Sequence, residues 1–311
     1  MNRELFESAI KGSVVGLLIG DALGFPYHSK KVHYNKIDMI CGKNKEPAGS
    51  FQGPGALTLC TIASIIECHD IDTSDIVEKF NDFMIGGYMS ATEECADVSP
   101  ATIAAIKNYN NGMPPDKCGM KEESNSDNES LTRILPVALF CANDSLDNLI
   151  DKAHEVSAIT HAQTKSQVAC ALFCLIVRNL LMQRSEKVFD LLKDYYYTKK
   201  MNDYVIKLDE IKTDKSHIIK YTSNNTSVED CFWNAWTAHT SFEHNFKECV
   251  CMAVYSGGDS NSAGAVAGSI SGLVNGLGSI PNKWLQKLLI TSEMVENINK
   301  FTNLVIDKLN S

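Results

Sequence analysis

"VYSGGDSNSAGAVAGSISGLVNG", residues 254–276, places glycine at every fourth position, at Gly264, Gly268, Gly272 and Gly276, behind a Gly-Gly-Asp turn that runs into Asp259-Ser260-Asn261-Ser262. A helix with this period has one face without side chains, and another backbone can approach that face closely. Each glycine costs about 1 kcal/mol against alanine in a helix interior, so close packing has to offset the loss. A second ladder with the same period stands near the N-terminus, at Gly12, Gly16, Gly20 and Gly24. The two ladders predict helices that pack together or against a shared neighbour, which would bring the turn "GDALGFPYH" close to "GGDSNS".

Outward from these ladders the pattern is helical. Apolar residues recur at i, i+3, i+4 and i+7 over 4–23, 56–68, 74–86, 101–109, 130–142, 146–159, 164–182, 186–195, 228–239, 243–254 and 285–308, whereas period-2 strands are scarce. The helix beginning near residue 74 has Thr73 or Ser74 as its cap and Ile76, Val77, Phe80 and Phe83 as its stripe. About a dozen such helices exceed a simple bundle and predict an all-α fold in a single domain over 1–311. Two polar segments, 110–130 and 207–227, read as long loops.

Composition narrows the function. Lys and Arg total 29 against 38 Asp and Glu, a net charge of −9, which repels nucleic-acid phosphates and anionic membranes. The N-terminal apolar run is broken by glycine and closed by Asp21; it reads as too short and too polar to span a bilayer, and it lacks a signal-peptide layout. The eleven cysteines are scattered without zinc-type spacing and read as reduced core residues of a cytoplasmic protein.

Taken together, "GSVVGLLIGDALGFPYHS", "CADVSPATIAAI", "SLTRILPVALF", "ITHAQTKSQVACALF" and the segment from "SFEHNF" through "GGDSNSAGAVAGSISG" to "IPNKW" resemble, in order, the motifs of the ADP-ribosylglycohydrolase family. The resemblance implies an all-α fold whose cleft holds two magnesium ions and hydrolyses the bond between ADP-ribose and a modified acceptor. It also implies that a Thr-Asp-Asp turn and an Asp-x-Asp-Thr turn supply metal ligands, and that a glutamate after the Gly-Asp-Ala-Leu-Gly run assists the chemistry.

At those positions this chain has Gln52-Gly53-Pro54, then Asp259 followed by Asn261 and Ser262, and His28 in place of the glutamate. Magnesium needs several oxygen ligands, usually including carboxylates, so no metal is expected. Asp259 alone reads as a helix N-cap. His28 is either a general acid or base or a surface histidine, and Asp97 matches an acceptor-side aspartate of the family. These three, His28, Asp97 and Asp259, are the catalytic candidates. Gln52, Asn128, Ser130, His161, Asn261 and Ser262 are the ligand-binding candidates; the resemblance sets His161 on the adenosine side, while on sequence alone it starts a helix. Asp21 reads as structural, holding backbone amides. Asp127 and Glu129 replace glycines of a phosphate-facing loop and should repel a pyrophosphate. The expected function is a pseudoenzyme binding an ADP-ribose-like ligand or an ADP-ribosylated protein. The alternatives are a hydrolase or lyase that works without the metal pair, and a protein with only an interaction role.

Overall fold

The computed structural model describes residues 3–30, 32–122, 127–213 and 226–311. Sixteen α-helices and several 3-10 turns make up the described chain, and no strand is found among those residues beyond two isolated bridges. In order they are α1 (Arg3–Gly24), α2 (Gly53–Cys68), α3 (Thr73–Gly86), α4 (Pro100–Asn110), α5 (Pro115–Cys118), α6 (Glu129–Thr132), α7 (Leu135–Phe140) and α8 (Leu146–Ala158). There follow α9 (Thr164–Leu181), α10 (Val188–Thr198), α11 (Asn202–Thr213), α12 (Val228–Ser241), α13 (Phe246–Tyr255), α14 (Ser260–Asn275), α15 (Asn282–Leu285) and α16 (Ser292–Leu309).

The two glycine ladders face each other, antiparallel and rung for rung. A Cβ built on Gly12 would lie 2.4 Å from the Gly272 carbonyl oxygen, one on Gly16 2.3 Å from that of Gly268, and one on Gly20 1.9 Å from that of Gly264. None of these contacts admits even a methyl group. The last rung joins Gly24 to Ser260, whose hydroxyl donates to the Gly24 carbonyl at 2.9 Å. Around this pair stand α12, α13 and α9 against α14, and α2 and α16 against α1. Their apolar faces form one buried core that includes Leu17, Phe173, Phe246 and Trp284.

Several boundaries differ from the periodicity. The expected helix 130–142 is two short helices, because Pro136 has no amide proton and its ring clashes with the preceding turn. The cap of α3 is Asp72, which accepts from the amides of Ser74 and Asp75; neither Thr73 nor Ser74 takes that role. The expected helix 285–308 begins only at Ser292, capped by Thr291. Part of the 207–227 segment is helical, as the end of α11, and 214–225 lies outside the described residues. Of the 110–130 loop, 115–118 forms one helical turn and 123–126 lies outside the described residues.

By length and mean hydropathy alone, Arg3–Tyr27 and Thr164–Leu181 could cross a membrane, so the N-terminal run is neither too short nor too polar as expected; most of each is buried inside the fold. All eleven cysteines are free, and eight are buried; Cys41 and Cys95 are exposed and Cys68 half-buried, so these three are not core residues.

Candidate functional site

Because α1 and α14 run antiparallel in register, the residues after Gly24 and before Ser260 arrive at the same place. After α1, the chain turns through Phe25–Tyr27 with Pro26 setting the turn and presents His28. Before α14, Gly257 and Gly258 take φ of 79° and 67°, a left-handed conformation that costs glycine little. The Ser29 amide donates to the Gly258 carbonyl at 3.0 Å, tying the two turns together.

Side chains then close a network. His28 Nδ1 lies 2.9 Å from Asn261 Oδ1 and 3.4 Å from Asp259 Oδ1. The Asn261 amide donates to Asp97 Oδ2 at 2.8 Å, and the Asn128 amide donates to Asp259 Oδ2 at 2.9 Å. Asp259 also caps α14, accepting from the Ser262 amide at 3.3 Å. Cap and site residue are therefore one and the same. Asp97 itself has φ of 53°, a left-handed conformation uncommon outside glycine, asparagine and aspartate.

The charges follow from these contacts. The Asp259 hydrogen bond outweighs burial at His28 and lifts its imidazole to about 9, so the ring is cationic at neutral pH. Burial, reinforced by the Asp259 charge, pushes the Asp97 carboxyl up. Beneath them Asp21 is wholly buried: its Oδ2 accepts from the amides of Gln52 at 2.8 Å and Gly55 at 2.9 Å, holding the start of α2. Burial still lifts this carboxyl to about 8, and its Oδ1 has no hydrogen-bond partner.

The cleft formed here has a volume of about 230 Å³, and its wall includes His28, Pro54, Asp97, Asn128, Asp259 and Ser262. Other candidates stand behind that wall. Gln52 is buried and turns its amide to the Ser50 carbonyl. Ser130 is buried against the Cys170 thiol.

His161 is also wholly buried, at the centre of a chain that sequence reasoning missed. Arg133 donates to the Thr160 hydroxyl at 2.6 Å, that hydroxyl lies 2.7 Å from His161 Nδ1, and His161 Nε2 lies 2.7 Å from Asp127 Oδ1 on the cleft wall. Burial alone would raise the Asp127 carboxyl, but the His161 contact and the Glu129 amide together hold it below the usual range. Arg133 is buried above the Phe80 ring, and burial lowers its guanidinium to about 10, still cationic at neutral pH. Glu129, expected to repel phosphate, stands on the cleft wall and also accepts from the Ser99 amide at 3.0 Å and from the Thr102 hydroxyl, so it ties down the start of α4. No local pattern announces these partners, which lie 27 to 34 residues apart.

The place of the expected metal turn has a definite packing. A Cβ at Gly53 would lie 2.3 Å from the Asp97 carbonyl oxygen, so backbone fills the space that an aspartate side chain would need. Among the described residues, no three His, Cys, Asp or Glu side chains gather as a metal-holding group.

The family model for ADP-ribosylglycohydrolases matches residues 2–309. The chain is 26% identical over 295 residues to the ADP-ribosylarginine hydrolase Tri1 of Serratia proteamaculans (strain 568), covering 93% of this chain and 77% of that protein. It is 24% identical over 287 residues to the ADP-ribosyl-[dinitrogen reductase] glycohydrolase of Rhodospirillum rubrum, covering 89% of each. A solved ADP-ribosylglycohydrolase-related protein complex shares the fold, with a TM-score of 0.75 at 21% identity over 97% of this chain and 98% of that one.

Proposed function

We propose a function from one premise: the chain belongs to the ADP-ribosylglycohydrolase family. In our reading its cleft binds an ADP-ribose-like ligand, free or attached to a protein, and has given up magnesium-dependent hydrolysis. The observation that carries this is the contact between Gly53 and the Asp97 carbonyl. Magnesium demands near-octahedral oxygen ligation, and the residues do not fit it. Gly53 and Pro54 offer no side-chain oxygen, and Asn261 directs its NH₂ group to Asp97.

The His28 imidazolium, set against Asp259 and Asn261, supplies positive charge in the cleft where a metal ion would otherwise supply it. No step of catalysis through a metal is assigned to this cleft. Asn128, Ser262 and the open edge of His28 remain on its wall to hydrogen-bond a ligand.

Calorimetry with ADP-ribose tests the proposal. Saturable binding is expected, with the same Kd in magnesium and in chelator, together with no release of ADP-ribose from ADP-ribosylarginine, the substrate class in the name of one relative. Release that requires magnesium overturns it. One observation favours a second reading: His28 and Asp97 both stand on the cleft wall, an imidazole and a carboxyl that can each give a proton to a bound ligand or take one from it. Chelator-resistant turnover that His28→Gln abolishes would establish that reading instead.

A further inference from the structure

Away from the cleft, a second concavity of about 470 Å³ lies where the end of α9, the start of α10, the end of α11 and the middle of α12 meet. It has roughly twice the cleft's volume and falls within the range of small-molecule sites. Its walls are apolar and largely aromatic, formed by Leu180, Val188, Phe189, Phe232 and Trp236. The indole nitrogen of Trp236 has no hydrogen-bond partner among the described residues. The Asn179 side chain on the same wall has its oxygen buried and unpartnered.

The rim carries three basic residues against two acidic ones. Arg184, Lys187 and Lys212 stand on it; Arg184 lies 3.4 Å from Glu186 and Lys212 lies 3.6 Å from Asp190, which leaves Lys187 without an ion pair among the described residues. The first turn of α10 opens on the same space, and no side chain caps its amides. Uncapped amides at a helix start favour an anion. The rim is built rather than loose: the Asn179 amide donates to the Glu186 carbonyl at 2.8 Å, and the Arg184 amide donates to the Asn179 carbonyl at 2.8 Å.

We infer that this concavity is a binding site for an amphipathic organic acid, whose flat apolar body lies against Phe189, Phe232 and Trp236 and whose single anionic head faces Lys187 and the start of α10. The site shares no wall residue with the cleft, so it stands or falls independently of the cleft's ligand.

The test uses 1-naphthylacetate as the probe and the uncharged 1-naphthylacetamide as its control, titrated into the full chain by calorimetry and tryptophan fluorescence. Saturable 1:1 binding of the acid is expected, at least 10-fold tighter than that of the amide. Leu180→Trp, which fills the concavity, should lower the acid's affinity at least 10-fold. Lys187→Glu, at an exposed position that leaves the fold alone, should remove the preference for acid over amide, so the proposal stays testable even if the cavity-filling variant misfolds. Absence of saturable binding, equal binding of acid and amide by the parent, or full affinity in a folded Leu180→Trp protein overturns the inference.

Discussion

Gly24 and Ser260 meet through their backbones, whereas a few residues further on His28 and Asp259 meet through their side chains. The same two segments thus build a ladder that admits no added atom and then a cleft whose contacts are polar and separable. In the ladder a methyl group collides with a carbonyl held by its own helix. In the cleft the loss of one hydrogen bond removes a partner without driving two backbones apart. The difference separates residues that set where the site is from residues that set what it does.

The comparison is broken most directly at the ladder. Gly16→Leu or Gly268→Leu must push α1 and α14 apart, and overpacking costs ~1–3 kcal/mol and sometimes more. With backbone on both sides of the added atoms, loss of soluble protein or a fall in Tm of roughly 10 °C or more is expected. Circular dichroism melts that overlay the parent's would mean that the helices are not in contact.

A smaller effect is expected at Gly53→Asp, where the added Cβ meets one loop carbonyl and not the backbone of a second helix. The loss should be about 1–3 kcal/mol, without any gain in Tm on adding millimolar magnesium to parent or variant. A magnesium-dependent rise in the variant, reversed by chelator, would show that the loop moves aside and that a cation site had been a single substitution away. In that case the cleft would share none of the ladder's rigidity.

His28 gives the smallest effect and the finest probe. Its folded-state pKa, about 9, lies above the ordinary histidine value of 6.5. Its contribution to stability is therefore fully present below pH 6.5 and is lost as the pH rises through about 9. The ring is partly exposed, so the effect is modest. Denaturant melts from pH 6 to 10 should show the gap between the parent and His28→Gln narrowing with rising pH. A constant gap would remove the imidazolium from between Asp259 and Asn261.

The fold was legible because its decisive signal is local and periodic: glycine at i+4 survives in a single sequence, and it named both partners of the central contact. The meeting of His28 with Asp259 and Asn261 was legible through the turns that flank those helices, whereas Asp97 was named only through the family resemblance. The chain from Arg133 through Thr160 and His161 to Asp127 was not legible, because nothing in the spacing of a buried arginine says which hydroxyl it reaches. The scaffold contacts of Glu129 were missed for a related reason. Its charge suggested repulsion towards a ligand, and nothing in the local spacing says that the same carboxylate also takes an amide and a hydroxyl inside the fold. Pro136 was an error of a different kind, since a local breaker was present in the expected helix and the apolar period ran on through it.

The ladder also governs the order in which the protein can form. Its contacts join residues 236 to 269 positions apart, from Gly24 with Ser260 to Ser8 with Leu277. At the usual rates of synthesis, about 5–20 residues per second, α1 emerges and waits roughly 10–50 s for the strip of backbone that will cover it. Until then its apolar, glycine-lined face has no native partner, and long-range closure of this kind slows folding. A helix made long before its partner α14 is among the last to be sealed, so during synthesis the nascent chain, rather than the finished fold, is the state most exposed to aggregation.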